Sequence, residues 1–378
     1  MEESSKKNNL LDSRKSNYEL MRIISMFLII LYHIILHGKL ITRSEGIVKM
    51  ILGMIEAIIL MHVNSFIILT GYFQCKSTRK MKKVFSIIGQ TWFYKVAIML
   101  ILIKISYIIT PRTIDYIHTL LPLDYGTYWY VNCYLILYII SPILNKVINN
   151  SNKKELQQTI LTLFIIVSCI STLTRDIVFN SFIGRSISTF ILLYFIGAYL
   201  RLYPLEQSKF FKKYKPSNRR LLYFIGFLIT ILISYSFWLL GIYLTDFNNI
   251  LKYIGKIFNK LHISYASPIV IIQTLFYFSI FGTFSFKNKF INLISQTTLG
   301  VYLIHENYYL RSILYYKLKL KYSPVTYSKI GYIIIVAIIM YIICIIIELI
   351  RKILIKIFNY IIKKIIEFNK NKYWRISI

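Results

Sequence analysis

Apolar residues run along this chain in blocks of roughly twenty, separated by short polar segments. About twenty mostly apolar residues cross the hydrocarbon core of a bilayer as a helix. On that basis the pattern predicts ten spans, over 18–39, 47–71, 84–110, 128–148, 156–174, 184–203, 221–244, 265–285, 291–310 and 329–356. No internal repeat is evident, so the pattern does not point to an inverted-repeat transporter. The predicted fold class is all-α, a polytopic integral membrane protein.

The polar segments orient these spans. With the N-terminus inside, the cytoplasmic segments hold 29 Lys and Arg and the opposite side 11. Positive charge concentrates on the cytoplasmic side of membrane proteins, so both termini are predicted inside. The chain divides into a tail over 1–17, a transmembrane domain over 18–356 and a basic amphipathic tail over 357–378. The basic stretch "RKILIKIFNYIIKKIIEFNKNKYWR" suits the anionic inner leaflet. The first apolar run is too long for a signal-peptide core and lacks a small-residue cleavage site. A multi-pass protein of the bacterial cytoplasmic membrane is expected.

Composition agrees. Of 378 residues 56% are hydrophobic, and the mean hydropathy is +0.58. The net charge of +31 could fit a nucleic-acid binder. The basic residues sit in short blocks between apolar runs, which excludes that partner and fits anionic membrane lipid. Cys75, Cys133, Cys169 and Cys344 form no CxxC pair, so neither a disulfide framework nor a zinc site follows.

The first span breaks the apolar rule. "NYELMRIISMFLIILYHIILHG" carries Glu19, Arg22, His33 and His37. Ionisable groups at that depth are costly and usually functional. Eleven residues separate Arg22 from His33, which returns to within about 20° of the same helix face, roughly 16 Å along the axis. Glu19 lies three residues before Arg22 and can pair with it. One reading has Arg22 reaching lipid phosphates and His33 packing. A second gives the His33–His37 pair a metal, which needs a third ligand, and no HExxH-type glutamate accompanies the pair. A third makes an imidazole the general base for a hydroxyl.

The same stretch resembles the opening of membrane acyltransferase family 3, in the branch common in low-GC Gram-positive bacteria. The family signature is an arginine, ten residues, then a histidine, matched by Arg22 and His33, with Glu19 at the usual acidic position. "NSFIILTGYF", "YWYVNCYLILYIISPILN" and "TLGVYLIHENYYLR" resemble later family motifs, in family order, within 17–311. The resemblance implies an acyltransferase for groups other than aminoacyl, moving an acyl group, often acetyl from acetyl-CoA, to hydroxyls of extracytoplasmic carbohydrate. Capsule, exopolysaccharide, lipid-linked sugars and peptidoglycan are family acceptors, and some members transfer succinyl. No esterase-like domain is appended, so the chain is expected to complete the transfer itself or with a partner.

Roles follow from this combined reading. His33, Arg22 and Glu19 are the candidate catalytic residues: Arg22, with which Glu19 can pair, and the basic inner mouth would orient the donor, and His33 would be the base. Thr70, Gly71 and Tyr72, with Arg79, Lys80, Lys82 and Lys83 of "CKSTRKMKK", are candidate donor contacts, since a basic mouth attracts CoA phosphates. Their simpler reading is a topogenic loop. Asn64, Trp129, Asn132, His305 and Glu306 are candidate acceptor contacts, because aromatic faces stack on sugars and amides bond hydroxyls. Trp129 also fits an interfacial aromatic belt. Asn64 and Asn132 are guesses for an oxyanion donor. Glu306 and Arg311, five residues apart, are poorly spaced for a helical pair, which leaves them for another helix near His33. No tightly bound cofactor and no metal are expected; acyl-CoA is a substrate. The rival functions are a transporter or flippase for a polysaccharide precursor and a non-catalytic assembly protein.

Overall fold

The structure is a computed structural model, described over 14–105, 112–121, 128–174, 182–318, 320 and 324–376. Among the described residues every regular element is helical. The longer elements are α1 (Ser16–His37), α2 (Gly46–Ile59), α3 (His62–Gln74), α4 (Met81–Lys104), α5 (Thr113–Leu120), α6 (Trp129–Asn150) and α7 (Lys153–Leu163). A π-helical segment, Phe164–Ile170, joins α7 to the single turn α8 (Ser171–Leu173). Then come α9 (Ile187–Leu202), α10 (Pro216–Thr245), α11 (Asn249–Ile263) and α12 (Pro268–Gly282). The chain closes with α13 (Lys289–Ile294), α14 (Thr298–His305), α15 (Tyr308–Lys317) and α16 (Tyr327–Ile376).

Among the described residues, eight helical stretches are long and apolar enough to cross a membrane, counting α2 with α3 and α11 with α12 as single stretches. Two expected spans differ. The sixth is the shorter helix Ile187–Leu202, and the ninth is divided between α13, a 3-10 turn at Ser295–Thr297 and α14. The expected loop 245–264 is also corrected, because most of it folds as α11. That segment is amphipathic rather than apolar, with Lys252, Lys256 and Lys260 at four-residue spacing, so a search for apolar runs misses it. The last helix runs unbroken through 356–357 for 50 residues, about 75 Å at 1.5 Å per residue.

Helix breaks inside an apolar bundle need their backbone groups satisfied, and side chains do this here. Between α2 and α3, Nδ1 of His62 donates to the Ile59 carbonyl at 2.5 Å, and Gln273 donates to the Ala57 carbonyl at 2.8 Å. Between α11 and α12, Asn64 donates to the Tyr265 carbonyl and Ser267 to the Leu261 carbonyl. Pro268 then restarts the helix at its first turn, where a missing N–H costs nothing. Pro142 lies inside α6, and Ser141 donates to the Tyr138 carbonyl that loses its partner there.

α1 is the hub of the bundle, packing on α2, α3, α12, α13, α14 and α16. It runs parallel to the α13–α14 pair. Ser16 bonds Asn292 at 2.9 Å at one end, and His33 meets His305 at 3.0 Å at the other. The helix carrying Arg22 and His33 is therefore fixed along its whole length.

Candidate active site

Arg22 and His33 share one cavity of about 550 Å³. Glu19 is buried and grips the Arg22 guanidinium at 2.9 and 3.0 Å, and Arg14 also reaches it at 3.4 Å. Nε and Nη2 of Arg22 donate to no protein atom among the described residues. Arg14, Lys83, Arg351 and Lys352 line the same cavity. They belong to its Ser16 end: Arg14 precedes α1, Lys83 is in the first turn of α4, and Lys352 donates to the Gln296 carbonyl just after α13. The rest of the lining includes Met26, Phe66, Tyr130 and Tyr265, which are apolar or aromatic.

Arg351 repeats the arrangement at Arg22. Glu348, fully buried, accepts Nε and Nη2 of Arg351 at 2.7 Å each. It also accepts from Tyr94 at 2.5 Å and Gln90 at 3.2 Å. A charge so deep is retained only when its lone pairs are filled in this way. Gly300 lies against the Glu348 carboxylate, and a Cβ there would collide with it. Two Glu-x-x-Arg pairs, on the first and last long helices, thus present guanidinium groups to one cavity.

At the other end His33 meets α14. Nδ1 of His305 lies 2.7 Å from the Val301 carbonyl, and a carbonyl only accepts. With the rings neutral, that nitrogen carries the proton and Nε2 of His305 is an acceptor. Nδ1 of His33, 3.0 Å away, must then donate. Glu306 lies 3.1 Å from the same Nδ1 and asks for the same proton position. Nε2 of His33 is left with its lone pair, and no protein group bonds it among the described residues. Glu306 is held in turn by His37 at 3.2 Å and by Arg311 at 2.5 Å. The expectation that Glu306 and Arg311 would not pair is corrected. The helix ends at His305, so their spacing is not that of one helix.

A second cavity, of about 250 Å³, lies on the His37 side, lined by His37, Arg185, Glu306, Tyr308 and Arg311 among others. His33, Trp129 and Tyr302 line both cavities. Trp129 stacks on Tyr265 at 5.8 Å and 24°, and the Arg185 guanidinium lies over the Trp129 ring at 5.4 Å.

The other candidates separate. Thr70 and Lys83 line the larger cavity, with Nζ of Lys83 donating to the Tyr134 hydroxyl at 2.9 Å. Gly71 does not face it; a Cβ there would strike the Tyr194 backbone, so this glycine lets α3 and α9 approach. Tyr72 packs on Tyr18 and Phe278 and accepts from Arg201. One helical step turns each residue by 100°, so the three cannot share a face. Arg79 bonds the Ile139 carbonyl at 2.8 Å in a separate groove, and Lys80 and Lys82 are exposed. Asn64 and Asn132 line neither cavity, and Asn64 is used at the α11–α12 break. His305 and Glu306 contact His33 directly. Arg14, Arg351, Lys352, Tyr265, Arg185 and Tyr302 were not singled out from sequence. Tyr302 lies within one of the family-like motifs, and Arg351 and Lys352 open the basic stretch that the sequence assigns to the inner leaflet.

His33, His305 and Glu306 also offer three metal-ligand atoms within 4.8 Å of one another. Arg311 already neutralises Glu306, and the proton shared between the rings occupies the His305 lone pair, so the cluster is internally satisfied. No curated protein and no solved structure matches the chain. A family model described as an acyltransferase domain matches residues 15–349. That match contains both Glu-x-x-Arg glutamates, His33 and its α14 partners, and the chain belongs to membrane acyltransferase family 3.

Proposed function

We propose that this membrane acyltransferase moves an acyl group, acetyl in the first instance, from acyl-CoA to a hydroxyl of an extracytoplasmic carbohydrate. One observation carries this reading. His33 lines both a cavity with five basic residues in its wall and a smaller polar cavity on the other side. A donor whose phosphates sit by Arg22 has its thioester at His33, because the roughly 16 Å between the two suits an extended pantetheine arm. The acceptor enters from the His37 side and lies against Trp129.

In the reaction, Nε2 of His33 takes the hydroxyl proton as the oxygen attacks the thioester carbonyl. The carbon–sulfur bond breaks on collapse of the tetrahedral intermediate, and the imidazolium returns its proton to the thiolate. Glu306 and His305 hold the imidazole in the tautomer this requires, and Glu306 stabilises the cation that forms. Glu19 positions Arg22 and takes no direct part.

The test is purified protein in lipid nanodiscs with radiolabelled acetyl-CoA and a panel of capsular, exopolysaccharide and lipid-linked glycans. Label transferred to a hydroxyl supports the reading. Movement of an unmodified glycan, or activity unaffected by His33→Ala, overturns it in favour of a transporter or an assembly protein.

A further inference from the structure

Collapse of a thioester through a tetrahedral intermediate places negative charge on the former carbonyl oxygen. Enzymes meet that charge with a fixed hydrogen-bond donor. Neither Asn64 nor Asn132 lines the cavities, so neither is placed to act. Tyr302 is placed to act.

Three observations single it out. It lines both cavities, together with His33 and Trp129. It is only 5% exposed, and its buried hydroxyl has no hydrogen-bond partner among the described residues. It lies three residues before His305, on the same face of α14, with the two rings 6.0 Å apart. The neighbouring Tyr128 shows the contrast. Its ring is 5.7 Å from that of Tyr302, yet its hydroxyl donates to the Leu303 carbonyl at 2.6 Å. A buried hydroxyl left without an acceptor costs stability, and a phenylalanine would fill the same space without that cost. The phenol therefore has a use outside the folded protein's own contacts.

We propose that the Tyr302 hydroxyl is the oxyanion donor of this enzyme, a proposal that rests on the acyl-transfer reading above. As the acceptor oxygen bonds the carbonyl carbon and its proton passes to His33, the carbonyl π pair moves onto oxygen. The Tyr302 O–H donates a hydrogen bond to that oxyanion and keeps its proton. When the pair returns, the carbon–sulfur bond breaks and the thiolate takes the proton from His33.

The experiment compares wild type, Tyr302→Phe and a protein carrying fluorotyrosine at 302, each full-length in nanodiscs with labelled acetyl-CoA. For Tyr302→Phe, kcat should fall ~10²- to 10³-fold, with donor KM near wild type and thermal stability equal or higher. Fluorination, which makes the phenol a stronger donor, should preserve or raise kcat. A Tyr302→Phe enzyme within about threefold of wild type overturns the assignment. So does a variant that loses stability along with activity, since that marks a packing role. Transfer by wild type with an indifferent Tyr302→Phe sinks this proposal alone. Absence of transfer by wild type sinks the acyl-transfer reading and this proposal with it.

Discussion

Nδ1 of His33 stands 3.0 Å from Nε2 of His305, and the Val301 carbonyl behind His305 decides which of the two carries the proton. Which nitrogen of His33 keeps its lone pair is thereby set by a backbone carbonyl on a different helix. His33→Ala should lower transfer ~10²- to 10⁴-fold, the usual worth of a positioned base, with normal accumulation and membrane insertion. Glu306→Gln should also be severe, because an amide can present N–H to His33 and favour the other tautomer. His37→Ala, which leaves Arg311 on Glu306, should be much milder. Steady-state kinetics on the three variants checks the order.

The paired guanidinium groups bear on the donor. Arg22→Ala and Arg351→Ala should each raise donor KM by roughly tenfold or more, the worth of a charge-assisted hydrogen bond, with acceptor KM little changed. Arg22→Lys should restore binding only in part, since lysine lacks the planar fork. Equal effects on donor and acceptor KM would show that the arginines only stabilise the bundle.

The basic loop after α3 should not act as a unit. Lys83 lines the larger cavity, whereas Lys80 and Lys82, exposed as it is, do not. Lys83→Ala should raise donor KM roughly two- to fivefold, as for a half-solvated charge contact. Lys80→Ala and Lys82→Ala should leave it unchanged at physiological ionic strength. A KM that rises equally in all three would restore a diffuse electrostatic role.

Gly71 should report packing and not binding, whereas Gly300 bears on packing and, through Glu348, on the seating of Arg351. Gly71→Ala pushes a methyl into the Tyr194 carbonyl, and Gly300→Ala into the Glu348 carboxylate. Each should cost about 1–3 kcal/mol, typical of overpacking, seen as a lower Tm. An altered donor KM at full stability in Gly71→Ala would return that residue to the donor site.

Orientation is testable at Lys82, which is exposed, whereas Cys75 is buried and a poor probe. A cysteine at Lys82 should react with a membrane-impermeant maleimide only after cells are permeabilised. Labelling of intact cells would invert the topology and place the basic cavity mouth outside.

The sequence alone determined the membrane class, the helical fold and the face of the first helix that carries Arg22 and His33. Apolar run length and the periodicity of an α-helix are local properties, so Arg22 and His33 could be placed together at a spacing of eleven residues. Glu19 beside Arg22 was legible for the same reason. The partners of His33 were only half legible, because His305 and Glu306 lie 272 and 273 residues further on. A motif marked them, but only the packing of α14 on α1 showed that they hold the imidazole. Glu348 and Arg351 carried no signal beyond topogenic charge. Their role at the cavity depends on α16 meeting α4 and α14, which no local pattern encodes. Gly71 and Thr70 were adjacent and looked alike, and one 100° step separated a packing glycine from a cavity residue. Breaks at 60–61 and 264–267 stayed hidden because side chains from distant helices satisfy the freed backbone groups, and tertiary contact alone decides where a helix is allowed to stop.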